Sequence, residues 1–220
     1  MAGKMESSLI KVLEKGISEI DVSLLCGSTC QNLIRLYDEI TLFNPMYGLV
    51  NASGEDLVVR HILDCLAPYS MMQSDDSVRM ADLGSGSGLP GLVLASAFTD
   101  REFFLVERMG RRAGFLRNTI AVLGMSGRVN VIQKDLSEVR DTFDMITFRA
   151  FRQLKDIVSD LDRILVNGGR VFSYKSSEEN IREEIEILES YKGFVFTHEV
   201  IDYKVPMLDA TRRMLILSKS

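Results

Sequence analysis

Tryptophan is absent from this chain of 220 residues, and proline, cysteine and histidine are scarce at four, three and two. Cys26, Cys30 and Cys65 are odd in number and lack the paired spacing of a zinc site, so the reading is reduced thiols packed as small hydrophobes, with no metal. His61 and His198 stand far in sequence from the glycine-rich segment described below, which leaves imidazole-based chemistry without an obvious carrier there. No early segment joins a basic start to a long apolar run, and no stretch is apolar enough to span a bilayer. A soluble, unexported, cytoplasmic protein is therefore expected. Positive charge is outnumbered, 26 Lys and Arg against 31 Asp and Glu, so contact with a nucleic acid would need a local basic patch. Internal repeats and low-complexity tracts are also missing.

What remains, 46% hydrophobic residues over this length, is enough to bury a full α/β core as one domain or one domain with an extension. Up to about residue 75 the pattern is helical. Leu9, Ile10, Leu13 and Ile17 lie at helical spacing, as do Leu33, Ile34, Leu36, Tyr37, Ile40 and Phe43. Asn44-Pro45-Met46-Tyr47-Gly48 is expected to break that second helix, Ser53 to Asp56 to start a third running to Leu66, and Met71 to Ser77 to be a polar connection. From Val78 the period alternates between strand and helix, the pattern of βαβ units and a mostly parallel sheet. Strands are predicted at Val78–Leu83, Glu102–Glu107, Val129–Gln133, Phe143–Phe148 and Arg170–Tyr174, the last preceded by an Asn167-Gly168-Gly169 turn. Helices are predicted at Leu89–Phe98, Gly110–Leu123, Arg152–Leu165 and Glu178–Tyr191. The runs Phe194–Tyr203 and Arg213–Leu217 are separated by a gap too short for a crossover helix, so they should pair antiparallel.

Asp82-Leu-Gly84-Ser-Gly86-Ser-Gly88-Leu89-Pro90-Gly91 joins the first of these strands to its helix. Glycines there permit positive φ and close approach of a ligand to the backbone, and Pro90 falls where the first helical turn should begin. By letter the segment fits both a dinucleotide fingerprint, Gly86-x-Gly88-x-x-Gly91, and acidic-x-Gly-x-Gly-x-Gly, which resembles motif I of class I S-adenosylmethionine (SAM) methyltransferases. No Lys follows the last glycine, which disfavours a P-loop. The Asp82 carboxylate favours SAM, whose methionine ammonium it could meet directly or through water, over a pyrophosphate.

Gly84-Ser-Gly-Ser-Gly-Leu-Pro-Gly91, Arg111-Arg112-Ala-Gly-Phe-Leu116, Phe143-Asp-Met-Ile-Thr-Phe-Arg149-Ala-Phe151 and His61-Ile-Leu-Asp64 together resemble the bacterial ribosomal small-subunit methyltransferase G family, also called glucose-inhibited division protein B. The resemblance runs from about Leu36 to the C-terminus. It departs from the family pattern at Phe43-Asn44, at Gly48-Leu49-Val50 and at Ser176 after Lys175. It implies a Rossmann-like class I methyltransferase with a seven-stranded mostly parallel sheet (76–220) and a helical N-terminal extension (1–75). The implied reaction is methylation of N7 of a guanosine in the decoding-region loop of 16S rRNA with SAM. The implied partner is 16S rRNA or the small ribosomal subunit, with no membrane and a monomeric enzyme.

Carried over residue by residue, the resemblance and motif I put the cofactor on Asp82, Gly84, Gly86, Gly88, Leu89, Leu136, Ser137 and Arg149, with Glu107 at a strand end accepting the ribose hydroxyls. Arg149 is also the catalytic candidate, because it ends a strand at the edge where open α/β sheets bind ligands. Arg111, Arg112, Arg117, Lys175, Arg212 and Arg213 are the candidates for RNA contact, with Arg108, Arg128, Arg152 and Lys155 as further members of a basic face. His61 and Asp64, at i and i+3 of one helix, are read as a structural hydrogen-bonding pair. A small-molecule SAM methyltransferase stays open as an alternative, and so does a nicotinamide oxidoreductase or nucleotide-sensing module.

Overall fold

The computed structural model describes residues 4–73, 76–175, 178–191, 193 and 196–220. Helix α1 (Ser7–Ile20) and α2 (Thr29–Tyr47) are followed by α3 (Gly54–Leu57), a π-helical stretch (Val58–Leu63), α4 (Asp64–Leu66) and α5 (Tyr69–Gln73). One N-terminal expectation holds and another needs correction. α2 ends at Tyr47, inside the Asn44–Gly48 segment expected to break it, with Pro45 in its last turn. Its end is closed by Gly48 at φ 57° and by the Asn44 side chain, which accepts from Leu49 and Val50 N–H and donates to Val50 C=O. Residues 69–73, partly assigned above to a polar connection, are helical because Tyr69 and Met72 bury into the core.

The sheet comprises β1 (Arg79–Leu83), β2 (Glu102–Val106), β3 (Val129–Ile132), β4 (Phe143–Arg149), β5 (Leu165–Lys175), β6 (Phe196–Lys204) and β7 (Thr211–Lys219), in the order β3-β2-β1-β4-β5-β7-β6. β1 to β5 are mutually parallel, and β7 is antiparallel between β5 and β6, as the short closing connection requires. Phe194, placed above at the start of a strand, lies outside the described residues, as does Ser176. Asn167-Gly168-Gly169 is not a free turn before β5 but lies within it. Pairing jumps from Phe143 opposite Leu165 to Met145 opposite Arg170, so the segment is absorbed as a bulge with Gly168 at φ 77°.

Alternation along the strands splits the core into two layers. Met80, Phe103, Leu105, Met145 and Phe172 face the N-terminal helices, α6 (Gly91–Ala97) and α7 (Gly110–Val122), while Ala81, Leu83, Phe143, Ile146 and Val171 face α8 (Leu154–Ile164) and α9 (Glu178–Ser190). The strand order reverses between β1 and β4, and the crevice beyond their carboxyl ends is where this architecture holds ligands.

Candidate active site

Asp82 is the penultimate residue of β1, and the chain then turns over the sheet edge. Gly84 and Ser85 both donate to Val106 C=O, Gly88 N–H donates to Ser85 C=O, and Gly84, Gly86 and Gly88 all have positive φ. Gly84, at φ 68°, is required twice: the conformation disfavours a side chain, and an added Cβ would meet the Phe151 ring at 2.2 Å. Gly91 opens α6 with its N–H donated to Asp82 Oδ2 at 3.0 Å, and a Cβ there would strike Leu105 and the same carboxylate. Pro90 occupies the N-cap of α6 rather than its first turn, because the helix begins one residue later, at Gly91.

The Asp82 carboxyl is buried beneath the loop, its Oδ1 accepts no hydrogen bond, and burial pushes its pKa up to about 7 against the effect of the Gly91 N–H. Its observed role is to brace the glycine loop from below. The folded protein retains this proton up to about pH 7, whereas the unfolded chain releases it near its ordinary value of 3.8, so stability falls as pH rises from about 4 to about 7. Urea unfolding at pH 5 and pH 8 should show that loss in the native sequence and a smaller one in Asp82→Asn. Equal losses in both would refute the assignment.

Glu107, immediately after β2, receives Gly86 N–H on Oε2 (3.1 Å) and Met109 N–H on Oε1 (2.8 Å), tying the loop to the start of α7. It lines a cavity of about 270 Å³ with Gly84, Asp135, Leu136, Ala150 and Phe151. Asp135 follows β3 and caps a short 3₁₀ turn (Leu136–Glu138); its hydrogen bond from Arg152 at 2.7 Å, before all other causes, holds its pKa down to about 2. Leu136 is on the cavity wall, whereas Ser137 is exposed and its N–H and hydroxyl are bonded to Asp135. Leu89 is packed in the core behind the loop.

A second, larger cavity of about 640 Å³ opens beyond the ends of β4 and β5 and shares Ala150, Phe151 and Arg152 with the first. Ala150 has φ 51°, a conformation that costs about 1–3 kcal/mol in a residue with a Cβ and that marks functional segments. Arg149 lies in this larger cavity. Its Nη1 donates to Asp64 Oδ2 (3.0 Å) and Arg60 C=O (3.3 Å), and its Nη2 lies 3.1 Å from His61 Nδ1. A guanidinium has no acceptor, so Nδ1 accepts and the His61 proton sits on Nε2. Burial first, and then Arg149, lower the His61 pKa, keeping the ring neutral at pH 7. Asp64, buried, also accepts from Arg212 Nε at 2.9 Å. The pair read as structural thus forms part of the cavity wall.

The basic candidates separate into two groups. Arg111, Arg112 and Arg117 lie on α7: Arg111 stands over the Tyr47 ring, Arg112 lines the smaller cavity, and Arg117 donates to Gln133. Lys175, Arg212 and Arg213 are held by carboxylates, Lys175 by Glu184 at 2.7 Å, Arg212 by Asp64 and Arg213 by Asp202 at 3.1 Å. Arg128 does not belong to a basic face, because its guanidinium turns inward onto the carbonyls of Ala95, Phe98 and Arg101. Cys65 is fully buried, which pushes its thiol up to about 12, and no disulfide or metal cluster occurs among the described residues.

Sequence reasoning missed Asp135, Phe151 and Glu184. Glu184 did carry a signal: it falls between Ile181 and Leu188 on the buried stripe of an otherwise acidic helix.

Solved structures of similar shape include a SAM-dependent methyltransferase from Methanococcus maripaludis (TM-score 0.60, 16% identity, 72% of this chain and 85% of that one). Another is an O-methyltransferase from Thermotoga maritima (TM-score 0.55, 18% identity, 84% and 71%). At that identity they establish the Rossmann-like methyltransferase fold. In sequence, the chain is 32% identical to the ribosomal RNA small subunit methyltransferase G of Haemophilus influenzae over 97% of its own length and 100% of that protein's. It is 31% identical to the protein of that name in Borrelia hermsii over 83% and 88%. The family described as rRNA small subunit methyltransferase G matches residues 29–216, and the chain belongs to that family.

Proposed function

We propose that this protein transfers the methyl group of SAM to N7 of a guanosine in 16S rRNA. The observation that carries the reading is the pair of cavities meeting at Ala150–Arg152, one walled by the glycine loop and Glu107 and the other by Arg149, His61 and Asp64. The smaller cavity fits the cofactor: Gly84 and Glu107 both line it, and each Glu107 oxygen keeps a lone pair for a ribose hydroxyl. Gly84, Gly86, Gly88, Glu107 and Leu136 are proposed as its contacts, with Asp82 bracing the loop. Leu89 and Ser137 stand behind these contacts.

Bound SAM supplies an electrophilic methyl on a sulfonium. Guanine N7 already carries an in-plane lone pair, so no residue of this chain has to remove a proton from it, which agrees with a neutral His61 committed to Arg149. The larger cavity therefore works by orientation and exclusion of water, effects worth on the order of 7–11 kcal/mol in favourable systems. Arg149 shapes the transfer site. Arg111, Arg112 and Arg117 are proposed to hold RNA phosphates from α7 beside the cofactor cavity, while Lys175 and Arg212 act inside the larger one. Residues 1–75 are proposed as an extension that completes the substrate side of a 76–220 catalytic core, in a monomeric cytoplasmic enzyme.

Incubation with labelled SAM and undermethylated small-subunit RNA, free or in the assembled subunit, is expected to place label at a guanine N7 read by cleavage at 7-methylguanosine. Label elsewhere or none would overturn the substrate assignment. Absence of RNA binding even at low salt would favour a small-molecule substrate.

A further inference from the structure

We infer that the Lys175–Glu184 ion pair reads the Watson–Crick edge of the accepting base and makes the site selective for guanine, an inference that rests on the guanine reading proposed above. Lys175 ends β5 and Glu184 projects from α9, with Nζ and Oε1 2.7 Å apart and side chains only 14% and 10% exposed; both line the larger cavity. Glu184 Oε2 is buried and accepts no hydrogen bond. A buried carboxylate oxygen without a donor is costly, and a buried ion pair is weak evidence of stabilisation in itself, so an unfilled acceptor on a side chain that lines the cavity points to a donor arriving with the substrate as the carboxylate turns toward it. The other carboxylate of that wall has its donors already, since Asp64 takes Arg149 on one oxygen and Arg212 on the other. The Lys175 ammonium is further fixed 5.7 Å from the centre of the Phe148 ring.

The pair presents an N–H donor beside carboxylate acceptors. Along its Watson–Crick edge guanine presents O6, an acceptor, then N1–H and the N2 amino group, two donors. Lys175 matches O6, and Glu184 matches N1–H and N2–H, with a turn about its terminal torsion bringing the unfilled oxygen to the base. Adenine offers the reverse, an amino group toward the ammonium and a lone pair toward the carboxylate, and is repelled at both positions. Uracil matches in part but carries no N7. Because N7 lies across the purine from N1 and N2, a base gripped by this edge keeps N7 free to face the Ala150–Arg152 wall that the two cavities share.

The test compares the native protein on small-subunit RNA carrying guanosine or inosine at the accepting position. Inosine keeps N7, O6 and N1–H and lacks only the N2 amino group. Losing one hydrogen bond to a charged acceptor should lower kcat/KM for inosine on the order of 10- to 100-fold. In Glu184→Gln, activity on guanosine should fall by a similar factor and the guanosine-to-inosine ratio should collapse toward 1, with SAM affinity by calorimetry unchanged. A merely structural glutamate would lower both activities and leave the ratio intact. Equal rates of the native protein on the two RNAs, or a native-like ratio in Glu184→Gln, would overturn the inference while leaving guanine N7 methylation standing. Failure of the native protein to methylate guanosine would instead remove the reading beneath it.

Discussion

Arg149→Ala is expected to lower single-turnover methyl transfer to rRNA by about 100-fold or more, the loss that follows when reacting groups are misplaced by about 1 Å. The residue ends β4 beside β1, at the point where the strand order reverses, and its guanidinium spans from there to the helical segment 54–66 through Asp64, Arg60 C=O and His61. One side chain therefore sets the distance between the sheet edge and the N-terminal wall of the larger cavity. Arg149→Lys retains the charge but has one nitrogen where the native residue uses two, so it should recover stability better than rate. Calorimetry with SAM separates the contributions: a cofactor contact weakens SAM binding, whereas a purely substrate-side role leaves it untouched and lowers the rate. A transfer rate within threefold of the native one in Arg149→Ala would remove Arg149 from the site.

The strands were legible because burial on both faces of a parallel sheet demands nearly continuous apolar runs, and Met80 to Leu83, Phe103 to Val106 and Met145 to Phe148 are such runs. The closing pair was legible from chain length alone, since the few residues between β6 and β7 leave no room for a crossover. The end of α2 was legible because Asn44 and Gly48 close it locally, and the Phe43 ring packs on Tyr47 and Phe115 at that end. A local signal failed where distant packing decided the outcome. Asn167-Gly168-Gly169 reads as a turn, yet β4 is long enough to pair on both sides of it.

The glycine loop and Glu107 were visible because their requirements are local: positive φ, a strand end and a carboxylate. The larger cavity was not visible as a unit. Asp64 meets partners 85 and 148 positions away in sequence, and Glu184 is surrounded along the chain by solvated glutamates. Which glutamate turns inward depends on what α9 packs against.

Asp64→Ala is expected to cost about 3 kcal/mol of folding stability, the lower end of the range for breaking a buried pair by removing one partner. The lower end applies because Arg149 and Arg212 keep 19% and 21% side-chain exposure, so water offsets part of the loss, while the carboxylate itself is 8% exposed. The loss comes less from attraction forgone than from two guanidinium groups left facing one another across the vacated position. The double variant Asp64→Ala/Arg212→Met should accordingly be more stable than Asp64→Ala alone, because deleting one cation relieves the repulsion that the first substitution created. Urea unfolding of the two single variants and the double variant closes this cycle. Simple additivity would mean that Arg149 and Arg212 do not share Asp64 energetically. A stabilising second substitution would show that the carboxylate is what allows two arginines to stand together on the wall of the cavity in which Arg149 is proposed to shape the transfer site.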